Sequence, residues 1–272
     1  MYIINFLQSF QTDWLTSFFI FITFFGNEEF YILVLPLLFW FWDKDKALKL
    51  MLILLPSLLL NAYLKELFHT ARPIGVALIE QDGFAFPSGH AQGTATLWLM
   101  MVLLVRKNWM TIIAIAMLIL VPLSRLYLGV HWPIDVLGGL AIGALLVWLY
   151  WAFLYQSIMD YLLEKTTVSR AALLTIIAVF FACLFPAHDA ITILAVIWGF
   201  GLTIIFSNVM HSTPRDGILW KLLTLVLGVV VVVLIWKGLK VVLPYNALGR
   251  FVRYAVLGFW IAYLPLLMGK RT

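Results

Sequence analysis

Charge is what this 272-residue chain has least of. Only 11% of its residues are charged, and the 13 acidic ones are outnumbered by 18 Lys and Arg. A soluble domain typically carries about 25% charged residues, and a soluble chain of this length needs a far more polar surface. Cysteine is nearly absent. Cys183 is the only one, so no intrachain disulfide can form. It sits in an apolar run, Phe180 to Phe185, where it is expected to pack as a small hydrophobe. No His/Cys cluster has metal-ligand spacing, so no metal site is expected. Low-complexity segments and internal repeats are missing too. The N-terminus lacks the basic region and small-residue cleavage site of a signal peptide, so the first apolar segment is expected to be retained. The net charge of +5 and pI near 9.3 do not point to nucleic acid. Membrane proteins carry excess Lys and Arg on their cytoplasmic loops.

What the chain has in abundance is long apolar runs. Hydrophobic residues make up 64% of it, and its mean hydropathy is +1.03. A helix crossing a bilayer needs about 20 mostly apolar residues. The composition leaves room for about nine or ten such spans. Candidates fall near 14–25, 30–42, 47–64, 91–105, 109–128, 133–155, 169–187, 190–206, 218–240 and 251–268. The expected fold class is all-α, a polytopic transmembrane helical bundle. The first two candidates are short, and residues 1–12 suit an interfacial helix.

Basic residues set an expected orientation. Lys44, Lys46 and Lys49 follow the second candidate span; Arg106 and Lys107 follow the fourth. Lys165 and Arg170, Arg215 and Lys221, and Lys270 and Arg271 follow the sixth, eighth and tenth. With ten spans all five groups share one face, which the positive-inside rule makes cytoplasmic. The N-terminus is expected on that face as well. Lys237, Lys240, Arg250 and Arg253 fit less well, because they fall on the other face.

Two segments on the expected outer face hold the residues that hydrophobicity does not explain. The first runs from Lys65 to Gly89 and carries Lys65, Arg72-Pro73 and Pro87-Ser88-Gly89-His90. The second carries Ser124-Arg125, His131 and Asp135. Ionisable groups at a membrane span are costly and therefore functional candidates. Three cations suit a phosphate: Arg72 and Arg125 can bond phosphoryl oxygens bidentately, and Lys65 adds a point charge. Ser88 and Gly89 precede a helix N-terminus, where free backbone N–H groups bind anions. Pro133 favours the first turn of a helix, so His131 lies just before it and Asp135 within it. A carboxylate there can fix the histidine tautomer and free the other ring nitrogen to attack. His90 is then the candidate acid for the leaving oxygen. Ser124 can bond phosphate or cap local backbone.

Lys65, six residues, Arg72-Pro73; Pro87-Ser88-Gly89-His90; Ser124-Arg125, five residues, His131, three residues, Asp135. This three-part pattern resembles the type 2 phosphatidic acid phosphatase superfamily, with no departure at any motif position. The resemblance implies a six-helix phosphatase core over roughly residues 1–155, with about four further transmembrane helices in 156–272. It implies metal-independent hydrolysis of a lipid phosphate or diphosphate through a phosphohistidine, with no cofactor. Carried over by position, His131 is the nucleophile, Asp135 its partner and His90 the general acid. Lys65, Arg72, Ser88, Gly89 and Arg125 bind phosphate. The implied partners are a lipid phosphate and membrane lipids, not nucleic acid. Phosphatidic acid, phosphatidylglycerophosphate, a polyprenyl diphosphate and lipid A phosphates are all candidate substrates. The implied location is a bacterial cytoplasmic membrane, with the site facing outward. Phosphotransfer to an acceptor lipid, and non-catalytic lipid transport or binding, are the competing functions. No function is transferred to residues 156–272.

The remaining polar residues have plainer readings. His69 is a filler position, Glu66, Glu80 and Asp82 are solvated loop charges, and His188-Asp189 and His211 are isolated polar spots.

Overall fold

The computed structural model describes residues 1–155, 158, 166–184, 188–207, 209–215 and 217–271. Lys165 and most of residues 156–165, which follow the expected phosphatase core, lie outside the described residues. The helices are α1 (Tyr2–Gln8), α2 (Asp13–Thr23), α3 (Glu28–Phe41), α4 (Lys44–Phe68), α5 (Gly89–Val105), α6 (Asn108–Tyr127) and α7 (Pro133–Leu149, carried to Leu154 by a π-turn). They continue with α8 (Thr167–Leu184), α9 (His188–Phe206), α10 (Ile218–Val242) and α11 (Ala247–Met268). The all-α expectation has one small addition: β1 (Ser212–Pro214) pairs antiparallel with β2 (Gly269–Arg271).

Among the described residues, six helices are long and apolar enough to cross a membrane: α4, α6, α7, α9, α10 and α11. Two more apolar helices, Gly89–Val105 and Thr167–Cys183, are shorter. The first two expected spans need correcting. α2 and the 3-10 turn Phe24–Gly26 join α3 across a 52° bend, and together they make at most one broken span. The reason is length. The 11 residues of α2 rise only about 16 Å, about half of a bilayer's hydrocarbon core. The N-terminal end is also on the other face from the one expected. The Gln8 Nε2 donates to Val76 O at 2.8 Å and Tyr127 O at 2.9 Å, so it touches both polar loops.

The chain divides into two compact units. The first comprises Met1–Ile32 and Leu50–Tyr155, the second Leu33–Lys49 and Gln156–Thr272. In the first unit α5 packs between α6 and α7. A Cβ on Gly139 would come within 2.5 Å of Ser88 O, and one on Gly143 within 2.6 Å of Gln92 O. Only glycine lets the two backbones approach this closely. That seam sets the start of α5 beside the start of α7. A buried polar chain ties α4 to α5: Asn61 Nδ2 donates to Gln92 Oε1 (2.9 Å) and Pro87 O (3.2 Å), and Gln92 Nε2 to Ser57 O (2.7 Å). Ser57 and Thr96 share a hydroxyl hydrogen bond of 2.9 Å. In hydrocarbon such groups are tolerated only when paired.

In the second unit α9 and α11 pack closely, with Gly199 against the Ala255 carbonyl. Trp40 Nε1 donates to Ile261 O at 2.8 Å. Cys183 is exposed rather than packed, because it shares α8 with the exposed Ile176, Val179 and Phe180. The expected packing assumed a core position, but this side of α8 is an apolar outer surface suited to lipid.

Candidate active site

The site is built where α4 ends, α5 and α7 begin, and α6 ends. Ser88 caps α5, its Oγ facing the Ala91 amide at 3.5 Å, and its own N–H donates to Asp135 O at 3.0 Å. The phosphate-binding candidate turn is thereby tied to the first turn of α7. Gly89 is crowded: a Cβ there would meet Asn61 Oδ1 at 2.9 Å and Lys65 Nζ at 3.9 Å. Lys65 reaches this point from the last turn of α4 rather than from a loop.

Asp135 closes the start of α7, where its Oδ2 accepts from Trp132 N–H at 2.7 Å. The same oxygen faces His131 Nδ1 at 3.5 Å, a distance at which attraction persists but a well-formed hydrogen bond does not. Both side chains are 1% exposed. On the other edge of the ring, Nε2 lies 3.1 Å from Arg72 Nη1. Guanidinium only donates, so Nε2 is the acceptor and the ring proton belongs on Nδ1, toward Asp135. Burial, then Arg125, Arg72 and Lys65, hold His131 below its ordinary pKa, against the opposing pull of Asp135. The ring is therefore neutral near pH 7.

The two arginines are held differently. Arg72 donates from Nε to Gly83 O (2.9 Å), from Nη1 to Val130 O (2.8 Å), and from Nη2 to Asp82 O (3.0 Å) and Phe84 O (3.1 Å). It ties the 82–84 loop to His131. Arg125 is 1% exposed. It donates from Nη1 to Thr23 Oγ1 and from Nη2 to Gln81 Oε1, both at 2.7 Å, while its Nε is buried without a partner. The Gln81 oxygen bonds Arg125 as a phosphoryl oxygen would.

The structure thus brings Lys65, Arg72, Ser88, Gly89, His90, Arg125, His131 and Asp135 into one region. Ser124 is set apart, because its Oγ donates to Val121 O at 2.6 Å within its own helix. Thr23, Asn27, Asn61, Gln81 and Gln92 touch the site or its support and were not found in the sequence. Their signal was faint: single neutral polar residues in or beside apolar runs. His90 Nε2 meets Asn27 Oδ1 at 2.6 Å.

The site thus sets a buried histidine between a carboxylate on one side of its ring and an arginine on the other. The family description "PAP2 superfamily" matches residues 46–159, and "PAP2 superfamily phosphatase, transmembrane extension" matches 191–271. The chain belongs to the PAP2 superfamily. It is 37% identical over 121 residues to phosphatidylglycerophosphatase B of Bacillus subtilis, covering 41% of this chain and 58% of that protein. It is 32% identical over 145 residues to undecaprenyl-diphosphatase of Sulfolobus acidocaldarius, covering 49% and 68%. Dihydrosphingosine 1-phosphate phosphatase C823.11 of Schizosaccharomyces pombe is 24% identical over 263 residues, covering 85% and 64%.

Proposed function

We propose that this protein is a metal-independent membrane phosphatase that hydrolyses a lipid phosphate or diphosphate through a phosphohistidine. The observation that carries this reading is the setting of His131. Its Nε2 lone pair is aimed at the Arg72 guanidinium, and its Nδ1 faces Asp135. An attacking nitrogen is thus directed to where an arginine would hold phosphoryl oxygens. The relatives' names support the class of substrate.

In the first step Nε2 attacks phosphorus, the bond from phosphorus to the leaving oxygen breaks, and His90 supplies that oxygen with a proton. Asp135 stabilises the positive charge that develops on the His131 ring. In the second step His90 takes a proton from water, water oxygen attacks the phosphohistidine, and phosphate leaves with His131 neutral again. Lys65, Arg72, Arg125 and the Ser88–Gly89 turn balance the charge on the equatorial oxygens. That is the electrostatic work a metal would otherwise perform, so the reaction needs none.

We assign this chemistry to residues 1–155, with 156–272 as additional transmembrane helices. Lys44, Lys46 and Lys49 start α4, and Arg106 and Lys107 follow α5. These helix ends lie opposite the polar loops, so the positive-inside rule turns the site outward. In a bacterium that is the periplasmic side of the cytoplasmic membrane.

The test is phosphate release by purified protein in detergent with excess chelator, beside His131→Ala. The panel holds phosphatidic acid, phosphatidylglycerophosphate, a polyprenyl diphosphate, lipid A and a sphingoid phosphate. The variant should lose about a thousandfold or more in rate. Undiminished activity in the variant removes His131 as nucleophile. Phosphate retained on a second lipid makes the reaction a transfer.

A further inference from the structure

We propose that Asn27 is a positioning residue for this reaction: its amide oxygen holds His90 in one tautomer and supports the proton that His90 must deliver. The proposal rests on the reading of His90 as general acid. An amide oxygen only accepts, so the 2.6 Å contact requires a proton on His90 Nε2. With Nε2 committed, Nδ1 is the nitrogen that exchanges a proton with the substrate. The imidazolium gives its Nδ1 proton to the leaving oxygen and returns to the neutral ring, Nε2–H still on Asn27. In the second step Nδ1 takes a proton back from water.

The local fold presents Asn27 for this purpose. The break between the 3-10 turn and α3 falls at Gly26-Asn27, where the first apolar segment bends by 52°. A Cβ on Gly26 would come within 2.9 Å of His90 Cδ2, so the break lies directly against the imidazole. An Asn at a helix start ordinarily accepts from that helix's own amides, but this oxygen accepts from His90. The bend that makes the first segment a poor membrane span is also what carries a polar side chain to the site.

The electrostatics give this contact a purpose. Charged or titratable neighbours act on His90 from every side: Lys65 on α4, Arg72 in the α4–α5 loop, Arg125 at the end of α6 and His131 in the α6–α7 loop. Glu28 and Glu29, next to Asn27 on α3, have exposed side chains. The cations needed to gather phosphate repel a charged His90. A short hydrogen bond to the amide oxygen strengthens when the ring is charged and works against that repulsion.

The experiment is the pH profile of kcat/KM for a lipid phosphate that the wild type cleaves, measured for wild type, Asn27→Ala and Asn27→Asp. Each variant is checked for monodisperse elution and wild-type melting in detergent. A general acid fails as pH rises and its proton is lost. Asn27→Ala should lose about 10- to 100-fold and move the basic limb to lower pH. Asn27→Asp keeps an acceptor and adds negative charge, so it should retain more activity and move that limb to higher pH. Asn27→Ala with a wild-type profile overturns the proposal. So do equal losses in both variants with an unmoved limb, which mark a structural role only. His90→Ala, run alongside, separates the two claims: if it stays active, the general-acid reading itself has failed. A proposal that fails while His90→Ala is inactive has failed alone.

Discussion

Each unit of this protein sets a cation among oxygen acceptors, and the two are satisfied differently. In the second unit the Lys44 ammonium donates to Val209 O at 2.9 Å, to Ser212 Oγ at 2.6 Å and to the Ser212 carbonyl. An ammonium has three donors, and all three are used. In the first unit Arg125 is buried against one hydroxyl and one amide oxygen, with its Nε unpartnered. A cation bonded in full acts as a tie between chain segments. A buried cation with an unpartnered donor can still take an anion, because its desolvation is only partly compensated. The same contrast runs through each interior. Ser57, Asn61, Ser88, Gln92, Arg125, His131 and Asp135 are buried in the first unit; in the second, the buried polar side chains among the described residues are Thr192, Thr203 and Ser212.

The sharpest way to break this comparison is to remove both cations. Arg125→Met should lower kcat by about 10²- to 10³-fold, the usual effect of losing one group that stabilises transition-state charge. Lys44→Met should leave kcat/KM within about threefold while lowering Tm, since a hydrogen-bonded charge is worth about 1.5–3 kcal/mol. Side-by-side turnover and melting measurements decide. Equal catalytic losses would mean that the second unit also takes part in the chemistry.

A smaller effect is expected in the pH dependence. In the proposed mechanism His131 must be neutral to attack, so kcat/KM should fall as pH drops through its pKa. Burial and the neighbouring cations keep that pKa below the ordinary value, which puts the acid limb below about pH 6.5. Arg72 is one of those cations. Arg72→Gln should therefore move the acid limb to higher pH, by about half a unit to one unit, in addition to lowering the rate. A limb that stays in place or moves down would show that Arg72 does not act on His131.

The smallest effect concerns support rather than chemistry. Asn61→Leu strips Gln92 Oε1 and Pro87 O of a donor and should cost about 1–3 kcal/mol, seen as a lower Tm. Among the described residues Thr203 bonds its own helix, at Gly199 O, 2.8 Å away. Thr203→Val should cost less than about 1 kcal/mol. A reversed order would remove the claim that the polar chain beneath the Pro87–Gly89 turn braces the site.

Much of this molecule was legible before any coordinates. Long apolar runs set the helices from α4 onward to within a few residues, because hydrocarbon demands a minimum apolar length and an internally bonded backbone. The spacing of Lys65, Arg72, Ser88, His90, Arg125, His131 and Asp135 marked the candidate site, because functional groups at helix ends leave local patterns. Local pattern was misleading at the first two apolar stretches, which are one bent element, and at Cys183, which faces outward. It also left Ser124 open, and the structure shows that hydroxyl bonded within its own helix.

Only tertiary structure could bring Asn27 to His90, Gln81 to Arg125 and Asn61 to Gln92, pairs separated by 63, 44 and 31 positions. Sequence determines which residues can take part in phosphate chemistry and which stretches must be helical, because both follow from composition and short-range spacing. The packing of distant helices decides which neutral amides hold those residues in place. A lone Asn or Gln carries no periodic signal, and its role exists only once a partner from another helix stands within hydrogen-bond reach.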